Sequence, residues 1–306
     1  MKTLGASFSR VKQSVKRGFT LIEILVATAV MIILIGMVIQ ITSNVLGVWN
    51  DASGKLAANA EARIAMDLIT SDLETAVFRN NGQQWLRVDG PVDVEGNLYD
   101  SQTVALKLFA PALDRPTTDD AGVEVAGDIC AIAYRLEYKE AYEGSEFNVY
   151  ALYRDIENPR DTFNNLLGSL SEGTDSAQLE LTESKDPFWS TDSITAEENY
   201  LAANVVDFKV IVYEDDGTFD PEPVNADEDT FEIDDDYAFG GSDGSTAQLL
   251  YVDVILTIIT DEGMAILQAI DEGRATEYSG ANAAEDVVRE KGQTFTRRIY
   301  FASTAL

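Results

Sequence analysis

Between Ile24 and Ile41 the chain reads ILVATAVMIILIGMVIQI, without one charged residue, and the mostly apolar stretch counted from Phe19 is 23 residues long. As a helix rising about 1.5 Å per residue it would measure ~34 Å, enough to cross the hydrocarbon core of a bilayer. A secretory signal has an apolar region of about 7–15 residues followed by small residues at a cleavage point. Here the run is longer and continues as VLGVWNDASGKLAANAEARIAMDLITSDLETAVF, which keeps helical spacing. A permanent single-pass helix is therefore expected. The first 18 residues carry Lys2, Arg10, Lys12, Lys16 and Arg17 and no acid. The positive-inside rule keeps such a leader in the cytoplasm and sends the carboxyl-terminal body across the membrane, to an extracytoplasmic position.

One residue interrupts this pattern. Glu23 stands at the entrance to the apolar run, and a carboxylate near the bilayer centre costs about 2.5–3.5 kcal/mol on insertion scales, less near the interface. It needs a partner, or it snorkels to water with no further role. The stretch Lys16-Arg17-Gly18-Phe19-Thr20-Leu21-Ile22-Glu23-Ile24-Leu25-Val26 resembles the class III signal of type IV pilins and type II secretion pseudopilins. The shared pattern is a glycine after a basic leader, then phenylalanine, Thr-Leu-Ile-Glu and an apolar run. The resemblance implies that a prepilin peptidase cuts after Gly18, that Phe19 becomes the methylated amino terminus, and that Glu23 acts in subunit assembly. The new amine of Phe19, on the same chain or a neighbour's, would be the partner of Glu23.

Past the membrane segment, two apolar series keep helical spacing: Leu56, Ala60, Ile64 and Leu68, and Ala62, Met66, Ile69, Leu73 and Ala76. The helix is expected to lay an apolar face on a sheet, and Gly47 and Gly54 to bend or unwind it locally. Trp49 suits either the outer headgroup belt or the junction with the body. After Asn80-Asn81-Gly82 the pattern changes to strands: QWLRVD, TVALKLFA, DICAIAYRLEY and FNVYALYRDI, the last two as a hairpin, then VVDFKVIVYE, LLYVDVILTIIT and TFTRRIYFAS. EGMAILQAIDEG reads as a helix, and residues 158–199 as polar loop around a short helical stretch, TFNNLLGSL. The order of elements gives an α+β fold: a leader (1–18), a transmembrane helix (19–41), its extension (42–79), and an antiparallel sheet body (80–306). In MDLITSDLETAV, IAYRLEY, VYALYRDI, LAANVVDFKVIVYEDDGTF and YVDVILTIITDE the body resembles J-type minor pseudopilins, but the acidic insertion after Tyr213 and the Glu262 to Gly292 insertion depart from that pattern, and the resemblance extends to a related group such as the Verru_Chthon cassette protein C family.

Composition narrows the chemistry. The net charge is −31, and without the basic leader it is −36, which opposes binding of nucleic acid by the body. There is no histidine, so Ser-His-Asp and Cys-His hydrolases and histidine-ligated metals are excluded. Cys130 is the only cysteine and reads as a small buried apolar residue, so no intrachain disulfide forms. No Walker A motif, dinucleotide fingerprint, GxSxG or HExxH occurs, and no enzymatic activity is expected. Residues 214–243 hold 13 acids and no base. They read as a solvated, mobile loop, with a calcium site as the sharper alternative, although the EF-hand spacing is missing. Of the tyrosines, Tyr134 and Tyr138 share one strand face while Tyr150 and Tyr153 fall on opposite faces; sheet packing is the expected use, a ligand stripe the alternative. The expected partners are a prepilin peptidase, other pilin-like subunits and the inner membrane. The competing expectation is a membrane-tethered module that binds calcium or a cationic partner through the acidic loop.

Overall fold

The structure is a computed structural model that describes residues 20–79, 82–94, 96, 98–99, 102–111, 127–140, 148–167, 180–219, 221–241, 244–275, 278, 280 and 282–304. The chain divides into two compact units, Met1–Ala52 and Ser53–Leu306. The described part of the first is helical from Leu21 on and belongs to α1 (Leu21–Glu74). Its large apolar side chains are exposed throughout, as an apolar helix without a protein partner must be.

In the second unit α1 supplies one buried stripe: Ala62, Ala65, Met66, Ile69 and Leu73 are at most 3% exposed. The other series is not buried, since Leu56 and Ile64 are 71% and 58% exposed. Helical hydrogen bonding continues through Gly47 and Gly54, so the expected local unwinding is absent. At Gly54 a side chain would meet only the Thr260 methyl region, and at Gly47 nothing lies near. Neither glycine is forced by crowding.

The strands are β1 (Gln84–Asp89), β2 (Ala105–Ala110), β3 (Cys130–Glu140), β4 (Asn148–Ile156), β5 (Tyr200–Ala203), β6 (Val205–Glu214), β7 (Tyr237–Gly240), β8 (Leu249–Ile259) and β9 (Gly292–Thr304). The helices after α1 are α2 (Pro159–Asp161), α3 (Thr191–Ile194), α4 (Asp261–Asp271) and α5 (Ala283–Lys291). Two antiparallel sheets result, one in the order β5-β4-β3-β2-β1-β7 and one in the order β6-β8-β9. This is the expected α+β arrangement, and β3 and β4 pair as the expected hairpin. Alternate residues of the larger sheet, such as Leu86, Leu106, Leu108, Ile132, Tyr134 and Leu152, share one core with the α1 stripe and with Phe208, Val210, Val254 and Leu256 of the smaller sheet.

The opposite face of the larger sheet is also buried. Trp85, Phe109, Ala133, Ala151 and Tyr153 pack with Leu166, Leu181, Phe188, Trp189 and Ile194. The section read as polar loop thus closes a second core with a few large side chains placed between polar residues. TFNNLLGSL contributes a π-helical turn over Thr162–Leu167, not an α-helix, and its last three residues lie outside the described set.

Asn204 is the pivot between the sheets. It lies between β5 and β6 with φ of 57°, in the left-handed region that asparagine tolerates better than most residues. Its N–H donates to the Tyr150 carbonyl in one sheet, and its own carbonyl accepts from Ile259 N–H in the other, at 2.7 and 2.9 Å.

Candidate functional site

The first described residues form a reciprocal cap. Thr20 precedes α1 and Glu23 is its third residue. The Glu23 Oε2 accepts from Thr20 N–H at 2.9 Å and from Thr20 Oγ1 at 3.0 Å, while Thr20 Oγ1 accepts from Glu23 N–H at 3.3 Å. This is a capping box, and it places a carboxylate at the positive end of the helix dipole. Gly18 and Phe19, the expected processing and methylation positions, lie outside the described residues. Farther along, Thr28 Oγ1 donates to the Leu25 carbonyl at 2.9 Å and Thr42 Oγ1 to the Val38 carbonyl at 2.8 Å. Hydroxyls satisfied inside their own helix cost little in an apolar surrounding. α1 is long and apolar enough to cross a membrane, and none of its most apolar window is buried.

In the body, α1 is tied to the larger sheet by a buried charge cluster. Asp72, 3% exposed, accepts from Arg154 Nε and a terminal guanidinium nitrogen at 2.9 and 3.0 Å and from the Tyr134 hydroxyl at 2.5 Å. Burial and the Asp72 carboxylate push the Tyr134 phenol well above its ordinary range, so it stays a donor. The three groups hold one another in the core, which marks a structural anchor.

The four tyrosines serve sheet packing, as expected. Tyr134, Tyr138, Tyr150 and Tyr153 are all buried, and the Tyr138 and Tyr150 rings pack at a tilt of 35° with centroids 4.5 Å apart. Cys130 is buried as expected. The acidic segment departs from its reading as a mobile loop. Asn225, fully buried, donates through Nδ2 to the Val210 carbonyl at 2.9 Å and accepts from Val212 N–H at 2.9 Å, so one side chain continues the β6 ladder. Beyond it, β7 joins the larger sheet, and Asp236 accepts from Arg87 and from Gly90 N–H. Several acids work as turn formers: Asp227 Oδ1 accepts from the backbone of Asp229 and Thr230, and Asp216 Oδ1 accepts from Thr218. These bonds hold both carboxyls below their ordinary range. Among the described residues no group of three or more acids or cysteines is placed to hold a metal ion.

One site escaped sequence reading. A cavity of about 700 Å³ lies over β6, β8 and β9, lined by Asp207, Lys209, Thr257 and Thr294 and walled by the Thr230–Glu232 turn and α5. Asp207 is 7% exposed; burial pushes its carboxyl up to about 6, with Lys209 opposing the shift. The signal was present in VVDFKVIVYE, where Asp207 and Lys209 share one face of an otherwise apolar strand.

Comparison with known proteins touches the amino-terminal segment. Residues 13–39 match the family model of the prokaryotic N-terminal methylation motif. No curated protein and no solved structure matches the chain. What the matched segment and its geometry establish together is a prokaryotic N-terminal methylation motif at residues 13–39, running into an apolar helix that starts on a Thr20–Glu23 capping box.

Proposed function

We propose that the protein is a prepilin-like subunit whose leader is removed after Gly18, whose new amino terminus Phe19 is methylated, and whose helix packs into a type IV pilus-like or type II secretion pseudopilus filament. The methylation motif over residues 13–39 carries this reading. A prepilin peptidase and other pilin-like subunits are then the partners, the inner membrane is the point of insertion, and the body stands on the far side as a minor, J-type subunit. The body's work is assembly and recognition, without bond making. Glu23 has two roles in this reading. In the precursor its carboxylate closes the cap with Thr20; after cleavage the Phe19 amine appears one turn away and offers it a charge partner. The test is mass spectrometry of the native amino terminus. A chain beginning at methylated Phe19 supports the reading, and an intact Met1, or a terminus beyond Ile41, overturns it.

A further inference from the structure

Among the described residues, three of the four sheet edges are closed, each by its own device. β5 and β7, the outer strands of the larger sheet, are only four residues long. Glu61 Oε2 accepts from Ala203 N–H on β5 at 3.2 Å, and the Ser245 backbone bonds the Ala238 carbonyl and Gly240 N–H on β7 at 2.7 and 2.8 Å. On β6 the Phe208 carbonyl accepts from Val104 N–H at 2.9 Å, and Asn225 takes up the Val210 carbonyl and Val212 N–H. β9 differs. It is 13 residues long, with no proline and no break in register from Gly292 to Tyr300. Ile259 N–H points to Asn204 on the β6 side, so by alternation Val252, Val254, Leu256 and Ile258 bond to Ile299, Arg297, Phe295 and Gln293 of β9. The backbone groups of Thr294, Thr296, Arg298 and Tyr300 then point outward. All four residues are exposed, and these N–H and C=O groups have no partner among the described residues. Such a row is a template for a further strand, and chains that have no use for one shorten, plug or bend it, as this chain does at its other edges.

The side chains along the edge describe the occupant. Residues 291–306 hold Lys291, Arg297 and Arg298 and no acid, in a chain of net charge −31. Arg297 spends only Nη1, on Asp67 and Thr70, which leaves its Nε and Nη2 donors without a partner among the described residues. Arg298 is held by Asp253 and lies 4.0 Å over the Tyr251 ring, yet its side chain is 44% exposed. As neighbours in one strand the two cations fall on opposite sheet faces, so an added strand meets them best with two consecutive acids. Tyr213, Tyr251 and Tyr300 run in register across the smaller sheet and end on the exposed Tyr300, which offers a ring to an apolar side chain of the added strand. A second copy of this chain fits poorly, because it brings another Arg297-Arg298 pair and another strongly acidic body to the contact. We infer that β9 docks an extended acidic segment of a partner protein as an added strand, main-chain hydrogen bonds giving the affinity and the two arginines the selectivity.

The experiment is fluorescence anisotropy of a labelled, terminally blocked peptide, alternating threonine and valine around a central Glu-Asp pair, titrated with the full-length protein in detergent micelles. The same peptide with Lys-Lys at its centre is the control. The acidic peptide should bind at a single saturable site, about tenfold or more tightly than the basic one, and should slow amide hydrogen exchange over residues 292–304. Thr296→Pro removes an outward N–H and leaves the bonds to β8 whole, so it should weaken binding by about tenfold or more. Arg297→Ala should weaken it by about threefold, and carries the test if Thr296→Pro does not fold. Equal binding of the two peptides, undiminished binding by Arg297→Ala, or slowed exchange outside β9 would overturn the inference. So would a dimer that forms without peptide and is lost in Thr296→Pro, which would give the edge to a second copy.

Discussion

Glu23 combines two demands that substitution can separate. Glutamine at this position still accepts the capping hydrogen bonds but carries no charge; alanine loses both. If charge pairing with the Phe19 amine drives assembly, Glu23→Gln and Glu23→Ala should both be cleaved and membrane-inserted yet reach the filament at reduced level. Thr20→Ala, which removes the two hydroxyl bonds of the cap and keeps the charge, should incorporate nearly normally. Immunoblotting of sheared filaments against total membranes reads all three, and normal incorporation of Glu23→Gln would sink the pairing. A second residue-scale prediction concerns Asp72. Asp72→Ala removes the carboxylate that holds the guanidinium of Arg154, which is 1% exposed, and should cost about 3–5 kcal/mol. Urea denaturation followed through the buried Trp85 and Trp189 would measure it, and a loss under about 1 kcal/mol would show that Arg154 finds another partner. Neither the cluster nor the cavity was legible beforehand. Each is built from residues far apart in the chain, and although Asp207 stands in an otherwise apolar strand, nothing in that strand shows what the side chain meets.

The regular elements were far more legible than their companions. QWLRVD and VVDFKVIVYE coincide with β1 and β6, because alternation or a β-branched run over six or more residues leaves no competing period. β7 is four residues long and follows an acidic run, too short to show a period, and α5 buries only Ala283, Val287 and Val288. On α1 two apolar stripes were visible and one is buried. Periodicity gives the angle between stripes but does not say which one meets the sheet. The connections matter at this scale too. Asn225→Ala would strand the Val212 N–H and the Val210 carbonyl, costing about 1–3 kcal/mol, and should expose residues 214–237 to limited proteolysis while the rest of the body stays intact. At the pivot, Asn204→Gly should be nearly neutral, whereas Asn204→Val should lower the melting temperature, since a β-branched residue resists positive φ.

For the whole molecule, acidity and burial act together on stability. Burial raises Glu157 to about 7, helped by Asp161, Asp155 and Asp186, and raises Asp207 to about 6. A carboxyl whose folded pKa lies above its unfolded value binds more protons when folded, so stability rises as pH falls through the folded pKa toward the unfolded one. The two windows run from about 7 to 4.5 for Glu157 and from about 6 to 3.8 for Asp207. At 1.36 kcal/mol per pKa unit the Asp207 contribution is about 3 kcal/mol at most; Glu157 is more open to solvent and contributes less. Lower net negative charge in the same range acts in the same direction. Calorimetric melting should therefore be higher at pH 5 than at pH 7.5, with a smaller difference in Asp207→Asn; a maximum above pH 7 would contradict this account. The Asn225 plug has a practical consequence as well. It fixes the far end of the segment that leaves β6, and between them Gly217 and Phe219 stand in open solvent. A short epitope spliced between Thr218 and Phe219 would hang from two fixed posts, a handle for gold labelling that would show where along the proposed filament, at its tip or its shaft, the chain is placed.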